Sequence, residues 1–122
     1  MIIDRKNYLK TVRVEFGKEL GGEKPEDAYF IIKEPDFKKS TELEAAVYES
    51  KLKNNNSILI TKVQEILPEL IVEHNLEIEK SKYYSNTEAV EIVFGKIEAA
   101  LKVINNYFAE VKNPLATTSD EK

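Results

Sequence analysis

A stripe of apolar residues near the C-terminus constrains the fold of this chain more than any other feature of its sequence. The stripe predicts a long amphipathic helix over residues 87–111, because alternating steps of four and three residues keep side chains on one side of an α-helix and match a heptad repeat. Ser85 and Glu88 fit a capping box that would begin this helix. The members of the stripe are Val90, Phe94, Ile97, Leu101, Ile104, Phe108 and Val111.

The stripe has two interpretations. It is either the core-facing side of the longest helix or a seam that packs against a partner helix. Val93 and Ala100 widen it beyond the two positions per heptad of a coiled coil, which favours the core. On that interpretation, Ile97→Asp would bury an unpaired charge and either destabilise the fold or block assembly.

The N-terminal third of the chain predicts a β-hairpin over residues 11–33. Residues 11–16 alternate apolar and polar side chains, which is typical of a half-buried strand. Residues 29–32 are continuously apolar or aromatic, which favours a more buried strand, and the segment between them is rich in turn residues. Pro35 cannot donate to a strand ladder and ends the second strand.

Two further helices are predicted between the hairpin and the stripe. Thr41 and Glu44 fit a capping box for a helix over residues 41–53, although Asp36 and Ser40 are also possible caps. A second helix is predicted over residues 57–67, with a kink or a stop at Pro68. Residues 74–84 predict a loop with a short extended piece. The inward candidates on the first helix are Leu43, Ala45, Ala46, Val47, Tyr48 and Leu52.

These elements predict a single α+β domain over residues 1–112 that is mostly helical, with the hairpin packed on about three helices. The last ten residues, 113–122, are small and polar, and we expect them to form a disordered tail.

Composition excludes several functional classes. The chain has no cysteine, so disulfides, thiolate metal sites and cysteine nucleophiles are excluded. Its net charge is −4, and the acidic excess lies wholly in residues 56–122, which argues against nucleic-acid binding. Neither a signal peptide nor an apolar run long enough to span a bilayer is evident, so we expect a cytoplasmic protein.

The residues that could carry chemistry have simpler explanations. His74 is the only histidine, and no acidic partners or nucleophile are placed around it by a recognisable motif. Glu42, Glu44 and Glu49 fit a solvated helix surface, and the glycine pair at 21–22 fits a turn. We therefore predict a non-enzymatic protein with no catalytic, cofactor-binding or metal site.

The order of these features resembles the tail assembly chaperones of long-tailed bacteriophages and related prophages. The resemblance covers about residues 12–108 and lies in the order of the predicted elements and in the kinds of residue within them. It is carried by the strand and corner FIIKEPDFKK, the helix VQEILPELIVEHNL and the final helix TEAVEIVFGKIEAALKVINNYF.

The resemblance implies a protein of the infected cell's cytoplasm that binds the tape-measure protein and tail-tube subunits and is not retained in the mature virion. It also implies self-association into a homo-oligomer and, in some members, a longer frameshifted form. The sequence leaves two alternatives open: a small regulatory, antirepressor-like module that binds another protein, and a small enzyme, which would require an unrecognised acid-based site.

Overall fold

The computed structural model describes residues 10–111, with side chains as far as Phe108. The fold is α+β and mostly helical, as predicted. The first nine residues of the predicted domain and the predicted tail over 113–122 lie outside the described residues. In chain order the elements are β1 (Thr11–Glu15), β2 (Tyr29–Lys33), α1 (Phe37–Lys53), α2 (Ser57–Leu70), β3 (Ile71–His74), β4 (Glu77–Glu79), β5 (Lys82–Tyr83), α3 (Asn86–Phe94) and α4 (Ile97–Val111).

The hairpin strands pair antiparallel, with Val12 opposite Ile32 and Val14 opposite Phe30. These four side chains are buried, whereas the residues between them point to the other face. Because strand side chains alternate between faces, one face of the sheet lies against the helices and the other is open to solvent.

A third strand that the sequence analysis did not predict completes this sheet. Pro68 does not stop α2, which continues two residues further to Leu70. β3 follows without a loop and pairs antiparallel with β2, with an irregular register between Ile31 and Ile32. The strand order is β1–β2–β3, and β4 and β5 form a separate two-stranded ribbon.

The first helix begins four residues before the predicted start. The Asp36 side chain accepts the backbone N–H of Lys39 at 2.9 Å, which makes Asp36 the N-cap. The predicted Thr41–Glu44 capping box is wrong, because Thr41 lies inside α1 and its hydroxyl donates to the Phe37 carbonyl at 2.9 Å.

The predicted single helix over 87–111 is two helices. The Ser85–Glu88 capping box is present at the start of α3, as predicted. The N–H of Lys96 bonds the Val93 carbonyl three residues back at 3.1 Å, so the chain tightens and α3 ends. Gly95, the residue with the weakest helix propensity in this segment, lies in the break.

The break changes which side chains of the stripe face the core. The buried residues of α4 are instead Ala99, Ala100, Val103, Ile104 and Tyr107, of which only Ile104 belongs to the predicted stripe. The predicted burial of Ile97 is therefore wrong. Within the stripe, Val90 and Ile104 are buried, Phe94 and Phe108 are half-buried, Ile97 and Leu101 are 58% and 40% exposed, and the side chain of Val111 lies outside the described residues.

The core lies between the sheet and the helices. Phe16 and Phe30 meet edge to face at its centre, with ring centroids 4.8 Å apart, and both are fully buried. Burying side chains of this size stabilises the fold by roughly 1.5–3 kcal/mol each. α4 packs on β1, and the Tyr107 hydroxyl donates to the Lys33 carbonyl at 3.0 Å. α1 lies outermost and packs chiefly on α2.

Candidate functional site

The exposed part of the C-terminal stripe forms the first candidate surface. Ile97 and Leu101 lie one turn apart on α4 and share a face. Phe108 falls on the same side of the helix and is half-buried. We call these three residues the α4 rim. Contiguous exposed apolar side chains are typical of a protein-binding surface, and Ile97 and Leu101 form such a pair.

A second surface lies on the outer side of α1. Phe37, Tyr48 and Leu52 are 87%, 62% and 69% exposed, and Thr41 and Ala45 lie exposed between them. At 100° per residue, these five side chains fall within about 80° of one another around the helix. We call them the α1 outer stripe. No charged residue lies within it.

The α1 outer stripe corrects the predicted orientation of this helix. Leu43, Ala46 and Ser50 are buried against the rest of the protein, whereas Ala45, Tyr48 and Leu52, which the sequence analysis placed inward, point to solvent. The sequence signal was ambiguous because α1 carries uncharged side chains on two opposite sides. Only the position of α2 decides which side is buried.

Polar contacts fix the inner side of α1 on α2. The Ser50 hydroxyl accepts the backbone N–H of Leu59 at 3.0 Å in a buried position. Lys39 pairs with Glu69 of α2 at 2.8 Å, and the hydrogen bond to this carboxylate raises the pKa of Lys39. These contacts hold α1 in one orientation, so its outer stripe is a defined surface.

The open face of the sheet carries a polar network across all three strands. Arg13 pairs with Glu15 at 2.9 Å, which raises the pKa of Arg13, and its guanidinium lies 3.8 Å from the centre of the Tyr29 ring. The Tyr29 hydroxyl donates to Glu73 at 2.6 Å, and this hydrogen bond raises the pKa of Tyr29. Each charged side chain named here has a partner within the network. The network is therefore explained as the polar surface of a solvent-facing sheet.

His74 has a structural role in the described chain. Its Nδ1 accepts the backbone N–H of Leu76 at 3.0 Å, so the ring hydrogen lies on Nε2, which donates to the Tyr84 carbonyl at 3.0 Å. The ring thereby ties β3 to the end of β5. Both ring nitrogens are engaged by backbone groups, which leaves neither directed at a ligand.

Two asparagine side chains form hydrogen bonds at the junctions between secondary-structure elements. The Asn86 side chain donates to the Pro68 carbonyl in the last turn of α2 and to the Ile71 carbonyl at the start of β3, both at 3.1 Å. The Asn75 side chain accepts from Tyr29 N–H at 3.0 Å and donates to the Asp27 carbonyl at 3.1 Å, which fixes the entry into β2. Sequence reasoning missed both, because the partners are distant along the chain.

A cleft of about 450 Å³ lies between α2 and α3. Two of its carboxylates are held by lysines at 2.8 Å, Glu65 by Lys62 and Glu69 by Lys39. Both pairs lie on an open surface, so Glu65 and Glu69 are held in similar environments by neighbouring cations. Its lining residues are Thr61, Gln64, Glu65, Pro68, Glu69, Thr87, Val90 and Glu91.

Within residues 10–111, His, Asp and Glu side chains do not come together in threes as a metal ion would require. None of the helices in this range has the length and apolar character needed to cross a membrane. Comparison of the chain with protein families, with curated proteins and with solved structures gave no match.

Proposed function

We propose that this protein is a non-enzymatic chaperone of tail assembly in a long-tailed phage or prophage. In this role it binds the tape-measure protein and tail-tube subunits in the host cytoplasm and is released before the virion is complete. The proposal is supported by the layout of strand, corner and helices described above. The observation that carries it is the α4 rim, an apolar surface on the outside of the helix that ends the described fold.

The chemistry of the α4 rim suits a helical client. Ile97 and Leu101 are spaced to contact an apolar stripe of a second helix, which is a common mode of helix recognition by protein grooves and faces. Glu91 and Glu98 are exposed on α3 and α4, and the second half of the chain holds the acidic excess. A client helix with basic residues beside its apolar stripe would match this surface in both respects.

The experiment is co-expression with the tape-measure-like and tube proteins encoded nearby, followed by affinity capture and measurement of the affinity. Ile97→Lys and Leu101→Lys should each weaken binding at least about 30-fold, the loss expected for a central contact residue. Gln64→Lys is the matched control, because it adds the same charge at an exposed position of α2 and should leave binding unchanged.

The gene neighbourhood supplies an independent check. A very long coding sequence immediately downstream is expected for a tape-measure protein. Capture of neither tail protein by the wild-type chain would refute the proposal. Capture of a repressor, together with a neighbouring promoter or repressor gene, would replace it with the regulatory alternative.

A further inference from the structure

The α1 outer stripe is distinct from the α4 rim and forms a second exposed apolar surface. Its residues, Phe37, Thr41, Ala45, Tyr48 and Leu52, cover about 22 Å of helix at 1.5 Å per residue. Within the described residues α1 packs chiefly on α2, and the outer stripe lies on the side of α1 away from its buried residues. We propose that this stripe binds the same stripe of a second copy of this chain, with the two α1 helices antiparallel about a two-fold axis at Ala45.

The spacing of the stripe is self-complementary. Phe37 lies eight residues before Ala45, and Leu52 lies seven residues after it. In an antiparallel pair centred on Ala45, Phe37 of one copy therefore meets Leu52 of the other. Thr41 and Tyr48, four residues before and three after, meet in the same way. A two-fold interface requires this reciprocity, in which residue i contacts residue j and j contacts i.

The sizes of the side chains in the α1 outer stripe also favour a two-fold axis at Ala45. Ala45 is the smallest member of the stripe and lies at its centre, with an aromatic or a leucine side chain at each end. A small residue at the crossing point lets two helices approach to about 8 Å, the close end of the usual range. The larger end residues then pack beside the axis instead of holding the helices apart.

Charge at one border of the stripe is compatible with this pairing. Lys38 and Glu49 are exposed and follow the same edge of the stripe. In the antiparallel register, Lys38 of one copy lies within about 5 Å, measured along the helix axis, of Glu49 of the other. Since long side chains cover such a gap, each copy contributes one cation and one anion to this border.

The area indicates an association of moderate strength. From the exposed fractions of Phe37, Tyr48 and Leu52, the stripe presents roughly 400–500 Å² per copy, on the scale of 150–250 Å² for a buried aromatic side chain. Two copies with their border residues bury about 1,000–1,200 Å², at the low end of specific interfaces. The dimer should therefore form and dissociate with concentration, as a reversible assembly requires.

Two sets of measurements test the proposal on the full chain. In sedimentation equilibrium, the mass should rise from 14.0 kDa towards twice that value with increasing concentration. Leu52→Lys and Tyr48→Lys should each raise the dimer dissociation constant at least about 30-fold. Ile97→Lys is the matched control on the α4 rim and should leave it unchanged. A wild-type chain that stays monomeric at all concentrations, or an equal effect of Ile97→Lys, would overturn the proposal.

The absence of native cysteine allows a direct test of the register. Ala45→Cys should cross-link to itself under mild oxidation, because a residue on the axis approaches its own copy within disulfide range. Phe37→Cys mixed with Leu52→Cys should give the mixed dimer in preference to either homodimer. Strong self-cross-linking of Phe37→Cys would indicate parallel helices and overturn the arrangement. The dimer test can be distinguished from the client test, since Leu52→Lys should weaken the dimer and leave client capture at the α4 rim measurable.

Discussion

The division of the C-terminal stripe between core and surface can be tested with one pair of substitutions. Ile97 and Ile104 both belong to the predicted stripe, but Ile97 is 58% exposed and Ile104 is 5% exposed. Aspartate at each position makes the same chemical change in two environments. A continuous buried stripe would make the two variants similar, whereas the observed break at Gly95 makes them very different.

The structure gives the expected magnitudes. At Ile104, loss of a buried isoleucine costs about 2–5 kcal/mol, and an unpaired buried carboxyl adds about 1–3 kcal/mol. The total is comparable with the lower part of the usual 5–15 kcal/mol of domain stability, so Ile104→Asp should be largely unfolded. At Ile97 the lost burial is worth about 1 kcal/mol, and an aspartate in the first turn of α4 recovers about 0.3–1 kcal/mol through the helix dipole.

Far-UV circular dichroism without denaturant shows whether Ile104→Asp is unfolded, and urea unfolding followed by the same signal measures the free energy of unfolding of Ile97→Asp. Ile97→Asp should stay within about 1 kcal/mol of the wild-type free energy of unfolding. Ile104→Val serves as a control without charge and should cost about 0.5–1.5 kcal/mol. If Ile97→Asp is destabilised as strongly as Ile104→Asp, the two residues share one buried face and our account of the break is wrong.

Three further substitutions test other parts of the fold by the same unfolding assay. Asn86→Ala should cost about 1–3 kcal/mol, because the carbonyls of Pro68 and Ile71, on either side of the α2–β3 junction, lose their donor, and an unchanged stability would show that water replaces it. Gly17→Ala should cost about 1–3 kcal/mol or more, because an added Cβ would lie 2.2 Å from the Lys24 carbonyl oxygen; a neutral result would mean that this turn moves freely. The backbone N–H of Lys39 lowers the pKa of Asp36 in the folded protein. The ionised cap therefore stabilises the fold fully above the unfolded pKa of 3.8, and this stabilisation is lost as pH falls through the lower folded pKa. Asp36→Asn should therefore flatten the loss of stability in this acidic range, and an NMR titration midpoint of Asp36 at or above 3.8 would contradict the cap.

The sequence predicted those elements whose signal is local. The alternation around Val12 and Val14 identified the hairpin, since each strand has a different environment on its two faces. The Ser85–Glu88 box identified the start of α3 because a cap depends on residues within one turn.

The features that the sequence did not predict depend on distant partners. β3 has four residues, follows a helix directly and is recognisable only through its pairing with β2. The inner face of α4 is set by Ala99 and Ala100, whose small side chains allow close packing but add little to a hydrophobic pattern. For the candidate surfaces, the pattern indicated apolar stripes on the helices but could not show which members reach solvent.

The packing of α4 on β1 brings the last described helix against the first described strand. During synthesis, the buried face of the hairpin is therefore not fully covered until α4, near the end of the described residues, has been made. A nascent chain that stops before residue 97 contains the residues of the hairpin but lacks the α4 residues of the core, including Val103 and Tyr107. Folding by this route is governed by contacts between distant parts of the chain, which slows it relative to a helical bundle of similar size. Truncation that removes α4, from residue 97 onward, should accordingly abolish the whole fold in one step and not leave a stable N-terminal fragment.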